Sequence, residues 1–243
     1  SNIAGTGRTT IPATGQHVAQ AGRDNEGTYP VIAADSGFFS SLDTTLDAYA
    51  TGYADEEAVM DAVRADSRLA LIDSYGAGMG FNDTWEWAAD GLEISDDRFD
   101  PFTLTVTDPV TGRTATVTVV GILRAQLPPS TFAGIYVNEA AYKALVGEPD
   151  YRRTYLRLLR GTDTRETARQ VEAALAVQGV EAESVEQIFD DLAATNMAFN
   201  RMFQAFMALG LVVGIAGLGV IAFRSVVERR QQLGMLRAIG YQR

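Results

Sequence analysis

The run Ala205–Phe223, AFMALGLVVGIAGLGVIAF, holds nineteen residues without a charge or a strongly polar side chain. As a helix rising about 1.5 Å per residue, it covers close to the ~30 Å hydrocarbon core of a bilayer. Ten of its residues are Leu, Ile, Val or Phe. At roughly −0.3 to −0.6 kcal/mol each near the bilayer centre, they favour insertion by about 3–6 kcal/mol before the glycines are discounted. The competing reading is a buried core helix. Such a helix seldom lacks polar residues on every face, and Gly210, Gly214, Gly217 and Gly219 would weaken it in water. In a membrane the same glycines permit close helix contact, and Gly210 and Gly214 form a GxxxG pair. The run reads as one transmembrane helix, and its place late in the chain separates it from a signal peptide.

Charge divides around this run. Before it stand 15 basic and 30 acidic residues; after it come Arg224, Glu228, Arg229, Arg230, Arg237 and Arg243. By the positive-inside rule the arginine-rich C-terminal side is cytoplasmic, which places residues 1 to about 200 outside. An acidic body of this kind argues against nucleic-acid binding, because phosphate contacts need a basic surface. There is no cysteine, so disulfides, thiolate catalysis and zinc–thiolate sites are all excluded. His17 is the only histidine and Lys143 the only lysine. A lone histidine in a Gly/Ala/Gln-rich stretch reads as a loop residue, with no metal site and no relay.

The outer part is expected to be an α+β domain, a mixed sheet with short helices, over residues 28–195. Residues 1–27 lack periodicity and read as a loosely ordered lead-in. Tyr29–Ala33 reads as a buried strand, followed by a turn at Asp35-Ser36-Gly37 and the pair Phe38-Phe39. Asp55 caps a helix to about Ala65, with Glu56 and Glu57 opposing the macrodipole, and Leu69–Ile72 is a strand. Thr/apolar alternation marks strands at Phe102–Thr107 and Thr114–Val120, joined by the hairpin loop 108–113. A strand at Gly134–Val137, a short helix at Glu139–Val146 and a strand at Thr154–Leu159 follow. Asp163 and Glu166 open a helix through Val177 that Gly179 stops. From Val185 a last amphipathic helix carries Ile188, Leu192, Phe199, Met202, Phe203 and Phe206 at helical spacing. No breaker separates it from the apolar run, so a continuous stalk is expected, with residues 196–223 as stalk and transmembrane helix and 224–243 as a juxtamembrane segment.

Little in the outer part suggests chemistry. Tyr75–Gly80, YGAGMG, follows a strand, but no Lys-Ser/Thr pair comes after it, so it reads as a turn and not a phosphate loop. Trp85 and Trp87 would share a strand face, with packing as the expected role. Asp96, Asp97 and Asp100 fall in one polar loop, where solvation explains them better than a glycosidase-like pair. No GxSxG, HExxH or EF-hand pattern is present. No enzyme activity, cofactor or metal is expected.

The stretch from Gly214 to Arg243, GIAGLGVIAFRSVVERRQQLGMLRAIGYQR, resembles the FtsX-like permease family of ABC transporters, which includes MacB-type exporters and Lol permeases. The family's mark is a membrane helix running into E-R-R-x-x-x-G-x-L-R-A-[IL]-G. Glu228, Arg229, Arg230, Gly234, Leu236, Arg237, Ala238, Ile239 and Gly240 match it in order. Thr116–Gly147 more weakly resembles the family's MacB-like outer domain, as does Tyr29–Phe39 with its "FF" turn.

The resemblance implies a segment running from just after a first membrane helix, through the outer domain, to just past the second. It implies a bacterial cytoplasmic-membrane location, a separate cytoplasmic ABC ATPase, a dimer of permease chains, contact with membrane lipid, and an outer partner or cargo. Glu228, Arg229, Arg230, Gly234, Leu236, Arg237 and Gly240 would form the ATPase-coupling segment, with Gly210 and Gly214 packing helices in the membrane. The alternative is a membrane-anchored sensor or ligand-binding protein; the ERR…LRAIG tail favours the permease.

Overall fold

The computed structural model describes residues 3–10, 12, 14–41, 45–79, 87–124 and 133–238, and it divides into two compact units, 1–182 and 183–243. The first unit is a mixed α+β domain. Its strands are β1 (Ile3–Thr10), β2 (Gln16–Gln20), β3 (Glu26–Tyr29), β4 (Val31–Ala34), β5 (Leu46–Ala50), β6 (Leu69–Asp73), β7 (Arg98–Phe99), β8 (Phe102–Thr107), β9 (Thr114–Leu123), β10 (Ile135–Asn138) and β11 (Arg153–Leu158). Its helices are α1 (Ser36–Ser41), α2 (Glu56–Ala65), α3 (Glu139–Leu145) and α4 (Thr164–Leu175), the last closed by a 3₁₀ turn at Ala176–Gln178.

The strands pair in the order β11-β1-β4-β10-β6-β9-β8-β2-β3. The mixed character sits in the middle: β10 runs parallel to β4, and β6 runs parallel to β9. Strand β9 is long enough to serve two neighbours on one edge. Its first half pairs β8, and its last residues turn to β5. Gly121 stands at that change of partner. A Cβ there would come within 2.8 Å of the Leu71 side chain and 3.1 Å of Leu46, so any larger residue would have to push these packed side chains aside.

Alternation along β10 shows how the layers form. Tyr136 stacks on Phe38 of α1 (5.4 Å between ring centroids, 11° between planes), and Asn138 donates to the Val63 carbonyl of α2. Ile135 and Val137, pointing the other way, line a cavity of about 200 Å³ with Ala141, Ala144 and Leu145 of α3. The period of two thus sends successive side chains to helices on opposite faces of the sheet. Asp55 caps α2 through Ala58 N–H at 2.8 Å, and Asp163 caps α4 through Glu166 N–H at 2.9 Å.

Several expectations need correction. Within residues 1–27, expected to be a loose lead-in, Ile3–Thr10 and Gln16–Gln20 are sheet strands: β1 pairs both β11 and β4, and β2 pairs β3 and β8. Small residues hid this. Thr9, Thr10, Gln16 and Gln20 are buried there and Val18 is the one large buried apolar side chain among the described residues, so the stretch has no apolar alternation to detect. The expected strand Tyr29–Ala33 is split at Pro30, which has no N–H to give to a ladder. The expected turn at Asp35-Ser36-Gly37 opens α1, because Asp35 Oδ1 accepts from Phe38 N–H at 2.8 Å and from Arg8 N–H at 2.9 Å. Strand β5, LDAYA, went unread because two of its three buried positions are alanine.

The second unit consists of α5 (Val185–Ala238), one unbroken helix. Ser184 Oγ accepts from Gln187 N–H at 3.1 Å, and the Ser184 carbonyl takes Ile188 N–H at 3.1 Å, which starts the helix.

Candidate membrane span and juxtamembrane segment

Helix α5 is long and apolar enough to cross a membrane. Along Ala205–Phe223 its large side chains face outward: Leu211 is 65% exposed, Ile215 61% and Phe223 73%. In water such a surface would be heavily penalised, at roughly 25 cal/mol for each Å² of apolar area, whereas hydrocarbon removes that cost. At Gly210 and Gly214, apart from the helix's own neighbouring backbone, no described atom lies within 4 Å of where a Cβ would be.

The same helix continues through the matched segment. Arg224 Nε donates to Glu228 Oε1 at 2.9 Å, one turn apart. Both side chains are exposed, so the pair adds only about 0.3–0.5 kcal/mol to the helix. Arg229, Arg230, Leu233, Gly234 and Met235 are also exposed. The positions of Leu236, Arg237 and Ala238 are helical, their side chains lie outside the described residues, and so do Ile239 and Gly240. A row of guanidinium groups directly after an apolar span can bind anionic headgroups, an acidic protein surface, or both.

In the outer unit, the glycine turn after β6 spends its backbone donors on the protein itself. Asp73 is buried at the end of β6. Its Oδ1 accepts from Tyr75 N–H at 2.8 Å and from Gly76 N–H at 3.2 Å. Its Oδ2 accepts from the Tyr29 hydroxyl at 2.6 Å and from Gly134 N–H at 2.7 Å. Met79 N–H bonds the Ser74 carbonyl, and Gly80 lies outside the described residues. Burial raises the Asp73 pKa against the pull of these four donors. Burial, and then the neighbouring Asp73 charge, push the Tyr29 phenol up as well. The arrangement is a clamp joining β3, β6, the glycine turn and the start of β10. The signal for it was one aspartate closing an otherwise apolar strand, LALID, just before a glycine-rich turn.

The remaining sites resolve as structure. Trp87 is buried with its ring 5.6 Å from that of Tyr29, and Trp85 lies outside the described residues. Asp96 and Asp97 take positive φ, 51° and 58°, in a tight turn closed by paired backbone bonds between Ser95 and Arg98. Asp100 accepts from Thr51 Oγ1 at 3.0 Å. His17 lies on β2, 3.8 Å from Glu26 and exposed. Lys143 pairs with Glu148 on the surface. Among the described residues, no group of three or more His, Asp or Glu is placed to hold a metal ion.

No protein-family model and no curated protein matches this chain. Among solved structures, it is similar to the extracellular domain of the noncanonic ABC-type transporter YknZ from Gram-positive bacteria. The identity is 13%, the match covers 76% of this chain and 83% of that one, and the TM-score is 0.40. It is also similar to the periplasmic region of MacB from Actinobacillus actinomycetemcomitans, at 12% identity, 79% and 77% coverage, and a TM-score of 0.43.

Proposed function

We propose that this chain is the outer domain and one membrane helix of an ABC-transporter permease of the FtsX, MacB or Lol type. The observation that carries the reading is the sequence E-R-R-x-x-x-G-x-L-R-A-I-G, which directly follows the apolar span and whose residues up to Ala238 continue its helix. In this reading the arginine-rich end is cytoplasmic, under the positive-inside rule, and residues 224–243 lie against a separate ATPase. Hydrolysis belongs to that partner, and this chain has no catalytic role. The span, residues 196–223 with their stalk, connects the ATPase contact to the outer domain, which meets cargo or a partner protein. The permease works as a dimer in the bacterial cytoplasmic membrane.

Glu228, Arg229, Arg230, Gly234, Leu236, Arg237 and Gly240 form the coupling surface. The test is charge reversal, Arg229→Glu with Arg230→Glu, in the full complex. The double variant should insert normally, because its apolar run is intact and Arg224, Arg237 and Arg243 still mark the inner side. Two reversed charges replace attraction by repulsion, a larger change than the loss of one surface pair. The expected result is ATPase activity that no longer drives transport at normal membrane levels. Normal transport by the inserted variant would assign these arginines to lipid headgroups alone.

A further inference from the structure

On the face of the sheet that α3 covers, alternation brings Val31 of β4, Val106 of β8, Val117 of β9 and Ile135 of β10 to one side, all of them buried. Helix α3 meets them with Ala141, Ala144 and Leu145, neighbours on one helix face. The two alanines offer only methyl groups there, and the gap beneath them is the cavity of about 200 Å³. A buried water needs two to four polar partners. Among the described residues, no buried side-chain nitrogen or oxygen on this wall is left without one of its own. An apolar cavity of about 150 Å³ stays dry and takes a benzene-sized guest. The space under α3 therefore suits a single ring or a short branched alkyl group, and it is too small for a drug-sized molecule.

The rim adds a polar anchor. Arg68 stands one residue before β6, and its carbonyl accepts from Thr118 N–H at 2.7 Å, so it continues the ladder. By alternation it falls on the side of Ala70 and Ile72, the side that Ile135 shares through its pairing with Ile72. Its side chain is exposed and borders the cavity. Asp66 fixes the guanidinium: Nε donates to Oδ1 at 3.0 Å and Nη2 to Oδ2 at 2.6 Å. These bonds hold the Asp66 carboxyl down to about 2, so the pair is ionised and its charges balance. The Nη1 donors have no partner among the described residues. A second anion would meet Asp66 as well as Arg68, whereas an uncharged carbonyl oxygen meets only a donor.

From a dry apolar cavity with one fixed guanidinium at its rim, we infer that the space between α3 and the sheet binds a small neutral compound, a ring or short branched alkyl group joined to a carbonyl. The apolar part fills the cavity, and the carbonyl oxygen accepts from Arg68. The site belongs to the outer domain and does not rest on the permease reading.

The probe is methyl benzoate, compared with toluene and with benzoate. The full chain in lipid nanodiscs is titrated with each, and NMR contacts from ring protons to the methyls of Val31, Val117 and Ile135 report the site directly. Affinities are referred to the free aqueous concentration, which removes partition into lipid. The expected result is saturable contact at these methyls, with methyl benzoate bound at least about ten-fold tighter than either comparison, as a hydrogen bond to a charged donor allows. Arg68→Gln should bring methyl benzoate to the level of toluene and leave toluene unchanged. Ala141→Leu fills the cavity and should abolish both while the amide spectrum is retained. Where Ala141→Leu disturbs the fold, the unaltered chain and Arg68→Gln still decide. No saturable contact, equal affinity for the ester and toluene, tighter binding of benzoate, or an Arg68→Gln variant that binds the ester as before would overturn the assignment. Neither hydrolysis of ATP nor transport enters the readout, so failure of the permease reading would leave this one standing.

Discussion

The two units use the same kinds of side chain in opposite ways. In the outer domain Ile122, Ile135, Leu71 and Phe38 are fully buried; along α5 Leu211, Ile215 and Phe223 are more than half exposed. The outer domain's sheet hides apolar residues by alternation, one face to α1 and α2 and the other to α3. Among the described residues nothing covers α5 along its span, so its apolar surface needs hydrocarbon or another helix. The difference teaches that apolar content alone does not say where a residue goes. Period and the surrounding charge do: alternation with threonine and aspartate builds a core in water, and an uncharged run of nineteen builds a surface for lipid.

The strongest way to break this contrast is to truncate one aromatic in each unit. Tyr136→Ala removes a fully buried ring stacked on Phe38, and it should destabilise the outer domain by about 3–5 kcal/mol. Phe223→Ala should leave the urea midpoint of the outer domain unchanged. Urea titration of both variants, followed by tryptophan fluorescence of Trp85 and Trp87, makes the comparison. A similar loss from both would mean that the two units do not keep separate accounts of stability.

A smaller effect sharpens the contrast for polar groups. Asp73→Asn cannot accept from the Tyr29 hydroxyl and all three backbone N–H groups at once. A buried donor left without a partner costs about 1–3 kcal/mol, so a loss of that size is expected in the same titration. The pH dependence carries a second sign. Because burial raises the folded-state pKa of Asp73, its contribution is complete below the unfolded carboxylate value, near 4, and is lost as pH rises through the raised folded value. Asp73→Asn should therefore flatten the decline in stability over that rise. An unchanged slope would show that the four donors, and not burial, control this carboxyl.

The smallest expected effect is at a helix end. Asp55→Ala removes the side-chain acceptor for Ala58 N–H and should cost the outer domain about 1 kcal/mol. Ser184→Ala, at the start of α5, should leave the outer domain's midpoint where it was. Equal shifts would show that the start of α5 contributes to the outer domain's folding.

How much was legible follows from what each element advertises. Helices α2 and α4 announced themselves through Asp55, Asp163 and Gly179, because a cap is a local contract between neighbouring residues. The β8–β9 hairpin did so through alternating threonines about a six-residue loop. Strands β1, β2 and β5 did not. Apart from Val18 and Leu46, their buried side chains are threonine, glutamine and alanine, whose place in the core depends on partners far along the chain. Gln16 shows this: its amide accepts from Val31 N–H at 2.7 Å and donates to Asp108 Oδ1 at 3.2 Å. Of the candidate site, the apolar span was legible, while the clamp of Asp73 on Tyr29 and Gly134 was not.

The sequence by itself determined the apolar span, the direction of its charge asymmetry and the helix caps. Each is a property of residues within a few turns of one another, read against water or lipid. Only the tertiary structure decided that β1 and β2 belong to the sheet, that β9 serves both β8 and β5, and that Gly121 makes room for the change. Those choices draw on contacts between distant residues, such as Arg8 with Asp35, 27 positions apart, and Thr9 with Tyr155, 146 apart, where steric fit and the satisfaction of buried donors select one pairing among many.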